Sequence, residues 1–148
     1  MSQHALGIIA GGLAPALFYC VFPIFMKYSS QHQLSPGALL LCIGIAVSIL
    51  GGLVLWAWEG SVGTITMKGT VFGLLAGICW GLGALGVSIA VSRFGTPVSL
   101  LTPIFNTNTL IAVLLGLVVF SEWKTVQLSW LLGGTALIVA GSIVISRA

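Results

Sequence analysis

Charge is what this sequence has least of. Only 5% of its 148 residues are Asp, Glu, Lys or Arg, and five basic against two acidic residues leave a formal charge of +3. Lys27, Lys68, Arg93, Lys124 and Arg147 stand apart between apolar runs, so they form no basic patch, and no nucleic-acid partner is expected. Cysteine is nearly as scarce. Cys20, Cys42 and Cys79 each fall inside an apolar run, with neither the pairing of a disulfide framework nor the spacing of a zinc site, so they read as small hydrophobes. No apolar run holds an Asp, Glu, Lys, Arg or His at its middle, and no Ser, His and acid constellation occurs. Acid–base and nucleophilic chemistry therefore lack agents, and neither an enzyme nor a bound metal or cofactor is expected.

What the chain has is apolar length. It is 58% hydrophobic, with a mean hydropathy of +1.19, which places it among polytopic membrane proteins. Five spans are expected, at 6–26, 37–58, 69–93, 98–120 and 128–146, forming one all-α transmembrane domain over residues 1–148. Ala14-Pro15-Ala16 has the shape of a signal-peptide cleavage site, but residues 1–5 carry no Lys or Arg, so the first run is read as a retained helix. Pro15 and Pro23 should bend that helix, and Lys27 with Tyr28 should mark its interfacial end. Ser35-Pro36 reads as an N-cap followed by proline at the first helical position. Gly44, Ser48 and Gly52 give the second span a small-residue face below an interfacial belt of Trp56 and Trp58.

The third span carries Gly69, Gly73, Gly77 and Gly81 at four-residue spacing. Each lies about 40° round from the last, so together they make a slowly turning groove that another helix backbone can enter. Gly95 is placed to close this helix in a left-handed conformation, with Thr96 and Pro97 opening the next. Gly134 and Gly141, one heptad apart, give the last span a second packing face.

The fourth span holds the densest polar set. On a continuous helix Ser99, Thr102, Asn106 and Thr109 fall within an arc of about 80°, a polar stripe down one side, whereas Thr107 and Asn108 point elsewhere. The stripe reads either as a contact surface for a polar solute or as hydrogen-bonding glue between helices, and Asn108 reads as glue. Trp80 and Tyr19, near the middle of their spans, are read as cavity-lining aromatics or as core packing. Lys27 reads as a snorkelling end anchor or half of an ion pair, and Glu122 as an end anchor able to pair with Lys124.

In order along nearly the whole chain, Lys27, Ser35-Pro36, Pro103, Ser121-Glu122 and the run Gly134 to Gly141 resemble the EamA-type repeat of the drug/metabolite transporter superfamily. Such proteins carry two five-helix repeats of opposite topology, and this chain resembles one. The resemblance therefore implies half of a ten-helix inverted-repeat transporter, completed by a second copy or by a paralogous half-transporter, with the solute site between the halves. The last span also resembles the dimerising helix of small multidrug resistance proteins, but the membrane glutamate of their first helix is missing, so proton-for-drug exchange is not carried over.

The expected function is transport of a small uncharged or zwitterionic metabolite by an antiparallel dimer using alternating access, in the lipid bilayer of the cell membrane. The alternative is a non-transporting assembly or regulatory subunit of a larger membrane complex. Five spans put Lys68 and Lys124 on one side of the membrane and Lys27, Arg93 and Arg147 on the other. So slight a bias leans toward an external N-terminus, and it is also what a chain inserting both ways would show.

Overall fold

The computed structural model describes Gly7, residues 9–59 and 65–145, and Arg147, and these residues fall in two compact units, Met1–Gly95 and Thr96–Ala148. All regular structure among them is helical. Five helical stretches are long and apolar enough to cross a membrane: Ile9–Gln31, Pro36–Ala57, Met67–Arg93, Val98–Val119 and Leu128–Ile145. The described residues thus form an all-α fold with five segments long and apolar enough to cross a membrane, as a five-helix membrane protein has.

In the first unit a π-helical turn, Ile9–Leu13, leads into α1, Ala14–Gln31. Helix α1 runs five residues past the expected end at 26, carrying Lys27 and Tyr28 inside its last turns. Pro23 lies within it and has no N–H to give to the carbonyl of Tyr19, four residues back. Helix α2, Pro36–Val54, starts as the sequence indicates. Ser35 is extended, and its hydroxyl accepts a hydrogen bond from the Ala38 N–H at 3.3 Å. A second π-helical turn, Leu55–Glu59, follows. The tip of the loop that follows, 60–64, lies outside the described residues.

Helix α3, Met67–Arg93, begins two residues earlier than expected because Thr66 caps it, accepting from the Gly69 N–H at 3.2 Å. Gly95 ends it with φ +63°, as the sequence indicates. Helices α1, α2 and α3 pack on one another, and the burial lies toward the C-terminal part of α3, at Ala84 and Ser88. Met26 is the buried hydrophobe of α1. Residues 71–80 of α3 are exposed.

The second unit holds α4, Val98–Phe105; α5, Asn108–Val119; a 3-10 turn, Glu122–Lys124; and α6, Leu128–Ile145. Both α4 and α5 pack against α6. Helix α6 buries Thr135 and Ser142, whose hydroxyls donate to the carbonyls of Leu131 and Ile138 at 2.7 and 2.9 Å. Bonding back to its own helix lets a hydroxyl enter an apolar contact without a partner across it.

The fourth span is where sequence and structure part. One continuous helix over 98–120 is expected, and two helices are found, joined through Asn106 and Thr107. Pro103 cannot donate to the Ser99 carbonyl, and beyond it the backbone tightens from i−4 to i−3 pairing. Thr107 N–H bonds Ile104 O, Thr109 N–H bonds Asn106 O and Leu110 N–H bonds Thr107 O, each at 3.1 Å. The Thr107 and Thr109 hydroxyls reinforce this by donating to Ile104 O and Asn106 O, both at 2.7 Å.

Candidate functional site

A break in the middle of a membrane span needs a reason. Backbone that leaves the helix at that depth persists where protein buries it or where it lines a polar cavity, because hydrocarbon offers no hydrogen bonds. Asn106–Thr107 lies at the centre of the 22-residue span Val98–Val119, with the side chains of Asn106 and Asn108 both exposed. Neither carboxamide makes a hydrogen bond among the described residues. Two unpaired amides stand in the middle of an apolar segment.

The expected stripe is redistributed by the break. Ser99 and Thr102 sit on α4, Asn106 at the junction and Thr109 on α5, so the 80° arc, which assumes one unbroken helix, does not describe them. Thr102 is half-buried and donates to the Val98 carbonyl at 2.8 Å, and Thr109 is held by Asn106. Their donors are already spent on their own helices. The groups left free to meet another molecule are Ser99, Asn106 and Asn108, the last of which the sequence reading assigns to helix–helix contact.

A groove of about 470 Å³ runs along α5 within this unit, with Asn108 and Thr109 at one end, Gly116 and Glu122 at the other, and Ala112 and Leu131 among the residues between. Glu122 follows Ser121, which has φ +56°, in the left-handed region that side chains other than glycine seldom adopt. That turn sends the Glu122 side chain back along α5, until Oε2 is 3.2 Å from where a Cβ on Gly116 would stand. No ion pair with Lys124 forms. Sequence pattern alone places Glu122 at a helix end; the signals that bear on its true position are the glycine six residues before it and the serine that turns the chain.

In the first unit, Trp80 packs on Phe22 with ring centroids 5.8 Å apart and planes tilted by 42°, and it keeps 44% of its surface exposed. Tyr19, one turn before Phe22, is 66% exposed. The pair is an aromatic contact between α1 and α3 with open surface beside it. A second groove, of about 640 Å³, follows the small-residue face of α2 at Gly37, Gly44 and Ser48, with Leu41 and Ile45 on its walls.

Among the described residues, the glycine faces are open. A Cβ on Gly73, Gly77, Gly134 or Gly141 would meet nothing within 4 Å; one on Gly69 would meet its own cap, Thr66; one on Gly81 would touch Leu40 of α2 at 3.8 Å. On α6 the buried heptad is Thr135 and Ser142, one residue round from Gly134 and Gly141.

A family model described as sugar transport protein matches residues 9–147. No curated protein and no solved structure matches the chain.

Proposed function

The chain belongs to the sugar transport protein family, a family of membrane transporters, and from that premise we propose that it carries a small uncharged, hydroxyl-rich solute of the sugar class across the cell membrane. The observation that carries the proposal is the break in the fourth span, with the free amides of Asn106 and Asn108 at mid-depth. A carboxamide both donates and accepts, which matches a sugar hydroxyl. It does so without the cost of placing a charge in the membrane.

In this reading the working unit is an antiparallel pair, either two copies or this chain with a paralogous half-transporter, of the EamA-type inverted-repeat kind. Alternating access arises as the halves rock about a site near the midplane. Support comes from the open face at Gly73 and Gly77, which offers a second chain close backbone approach. The same face favours the second reading, an assembly subunit that transports nothing.

Reconstitution separates the two. Purified chain in proteoliposomes is expected to take up radiolabelled neutral monosaccharides down a gradient. Asn106→Ala should reduce uptake at least tenfold with the oligomer intact, whereas Thr102→Val, whose hydroxyl serves its own helix, should reduce it about twofold or less. No uptake by the unaltered protein would support the assembly reading, and an Asn106→Ala variant that merely loosened the oligomer would mark the amide as glue between helices.

A further inference from the structure

Glu122 is the one acidic side chain whose position is described, and the amide site at mid-span does not use it. We infer that Glu122 is a specificity-determining residue at the mouth of the α5 groove, accepting hydroxyls of neutral sugars and repelling anionic ones such as uronates. The inference rests on the sugar-transport reading.

Three observations lead there. First, the residue is held from its backbone: the Glu122 carbonyl accepts from the Thr125 N–H at 2.9 Å, the Val126 N–H at 3.3 Å and the Thr125 hydroxyl at 3.0 Å. Second, its carboxylate lies over Gly116, with Oε2 3.2 Å from where a Cβ would stand, a seat that a bulky residue 116 would fill. Third, that carboxylate has no ion pair among the described residues, so both its charge and its acceptor sites stay available.

Geometry gives it a role distinct from the amides. Asn108 and Gly116 are eight residues apart on α5, roughly 12 Å along the axis, more than one pyranose ring can bridge. The groove therefore presents two stations in series, a carboxylate nearer the end of the span and an amide near its middle. A neutral sugar donates hydroxyl hydrogens at the first and then both donates and accepts at the second. An anion meets an uncompensated like charge at the first. Low-dielectric walls, here Ala112, Leu117 and Val126, weaken the screening that would hide that charge in water.

The test uses the full chain in proteoliposomes with radiolabelled glucose, galactose and mannose and their uronic acids. For whichever neutral sugar is best carried, the unaltered protein should prefer it to its uronate at least tenfold in kcat/KM. Glu122→Gln, which keeps shape and hydrogen bonding, should narrow that preference at least fivefold with an absolute rise in uronate uptake. Glu122→Asp should retain the exclusion. A residue that only held the turn would lower both substrates together, so parallel loss in Gln and Asp variants, or an unchanged preference, overturns the inference. If the unaltered protein carries none of the neutral sugars, the transport reading itself falls, and this inference with it.

Discussion

The carboxylate of Glu122 rests over Gly116, its Oε2 3.2 Å from the point where a Cβ on that glycine would stand. An alanine there asks a flexible, exposed side chain to yield by a few tenths of an ångström. Helix α5 meanwhile gains the roughly 1 kcal/mol by which alanine exceeds glycine in a helix interior. Gly116→Ala should therefore leave thermal stability in detergent unchanged or slightly higher. Gly116→Val fills the seat, and it should weaken uronate exclusion as Glu122→Gln does while the charge is still present. Equal exclusion in the valine variant would mean that the seat does not matter.

Ser121 holds φ +56°, a conformation that costs a residue with a Cβ about 1–2 kcal/mol. Glycine adopts it without that cost. Ser121→Gly is expected to raise stability by up to about 1 kcal/mol, and Ser121→Val to lower it by about 1–2 kcal/mol, since a β-branched side chain tolerates the left-handed region least. Thermal unfolding checks the order Gly, Ser, Val; the reverse order would show that this turn is not left-handed in the membrane.

Much of the fold was legible because end signals are local. Ser35 caps α2 and Gly95 turns left-handed after α3 on nothing more than the chemistry of their own few residues. Packing was less legible, for a reason visible on α6: a heptad of small residues fixes the period of a contact face but not its phase. The structure buries Thr135 and Ser142, which can satisfy their hydroxyls on their own helix, and leaves Gly134 and Gly141 outside. The candidate site was the least legible. Helical-wheel arithmetic presumes a continuous helix, and the i−3 pairing after Pro103 voids that presumption at the residues of interest. Glu122 was hidden because its place depends on one unusual dihedral at Ser121, to which composition is blind.

If Pro103 is what loosens the fourth span, returning an N–H to position 103 should mend it. Pro103→Ala restores a donor for the Ser99 carbonyl and removes a ring clash, a change that can be worth up to about 3 kcal/mol in a helix interior. The expected outcome is a more stable protein that transports at least tenfold more slowly, with slower hydrogen exchange across residues 104–110. Unchanged exchange would show that the threonine hydroxyls alone hold the break open.

Gly77 and Gly81 share a face but differ in surroundings. Gly77 has open space where a Cβ would be, whereas at Gly81 it would stand 3.8 Å from Leu40 Cδ1. Gly77→Leu should leave the monomer folded and weaken association in detergent at least tenfold. Gly81→Leu should destabilise the α2–α3 contact itself, by about 1–3 kcal/mol for overpacking. Light scattering with thermal unfolding separates the two effects. A dimer indifferent to Gly77→Leu would move the interface away from this helix.

The proposed antiparallel pairing makes a demand on insertion that the charges allow. The five spans put Lys27, Arg93 and Arg147 on one side of the membrane and Lys68 and Lys124 on the other, three basic residues against two. One added charge should be enough to tip so even a balance. A reporter fused after Arg147, scored separately for cytoplasmic and external signal, is expected to give both signals from the unaltered chain. A lysine placed beside Arg93, which makes four basic residues against two, should drive it to one orientation and abolish homodimer transport. Uptake should then return when a second variant, with three extra lysines beside Lys68 that make five basic residues against three, is co-expressed, because the two fixed orientations together rebuild the pair. A single orientation from the unaltered chain would instead require a separate partner of opposite topology, and then the lysine variant that reinforces that orientation should leave uptake unchanged when the partner is present, whereas the one that reverses it should abolish uptake.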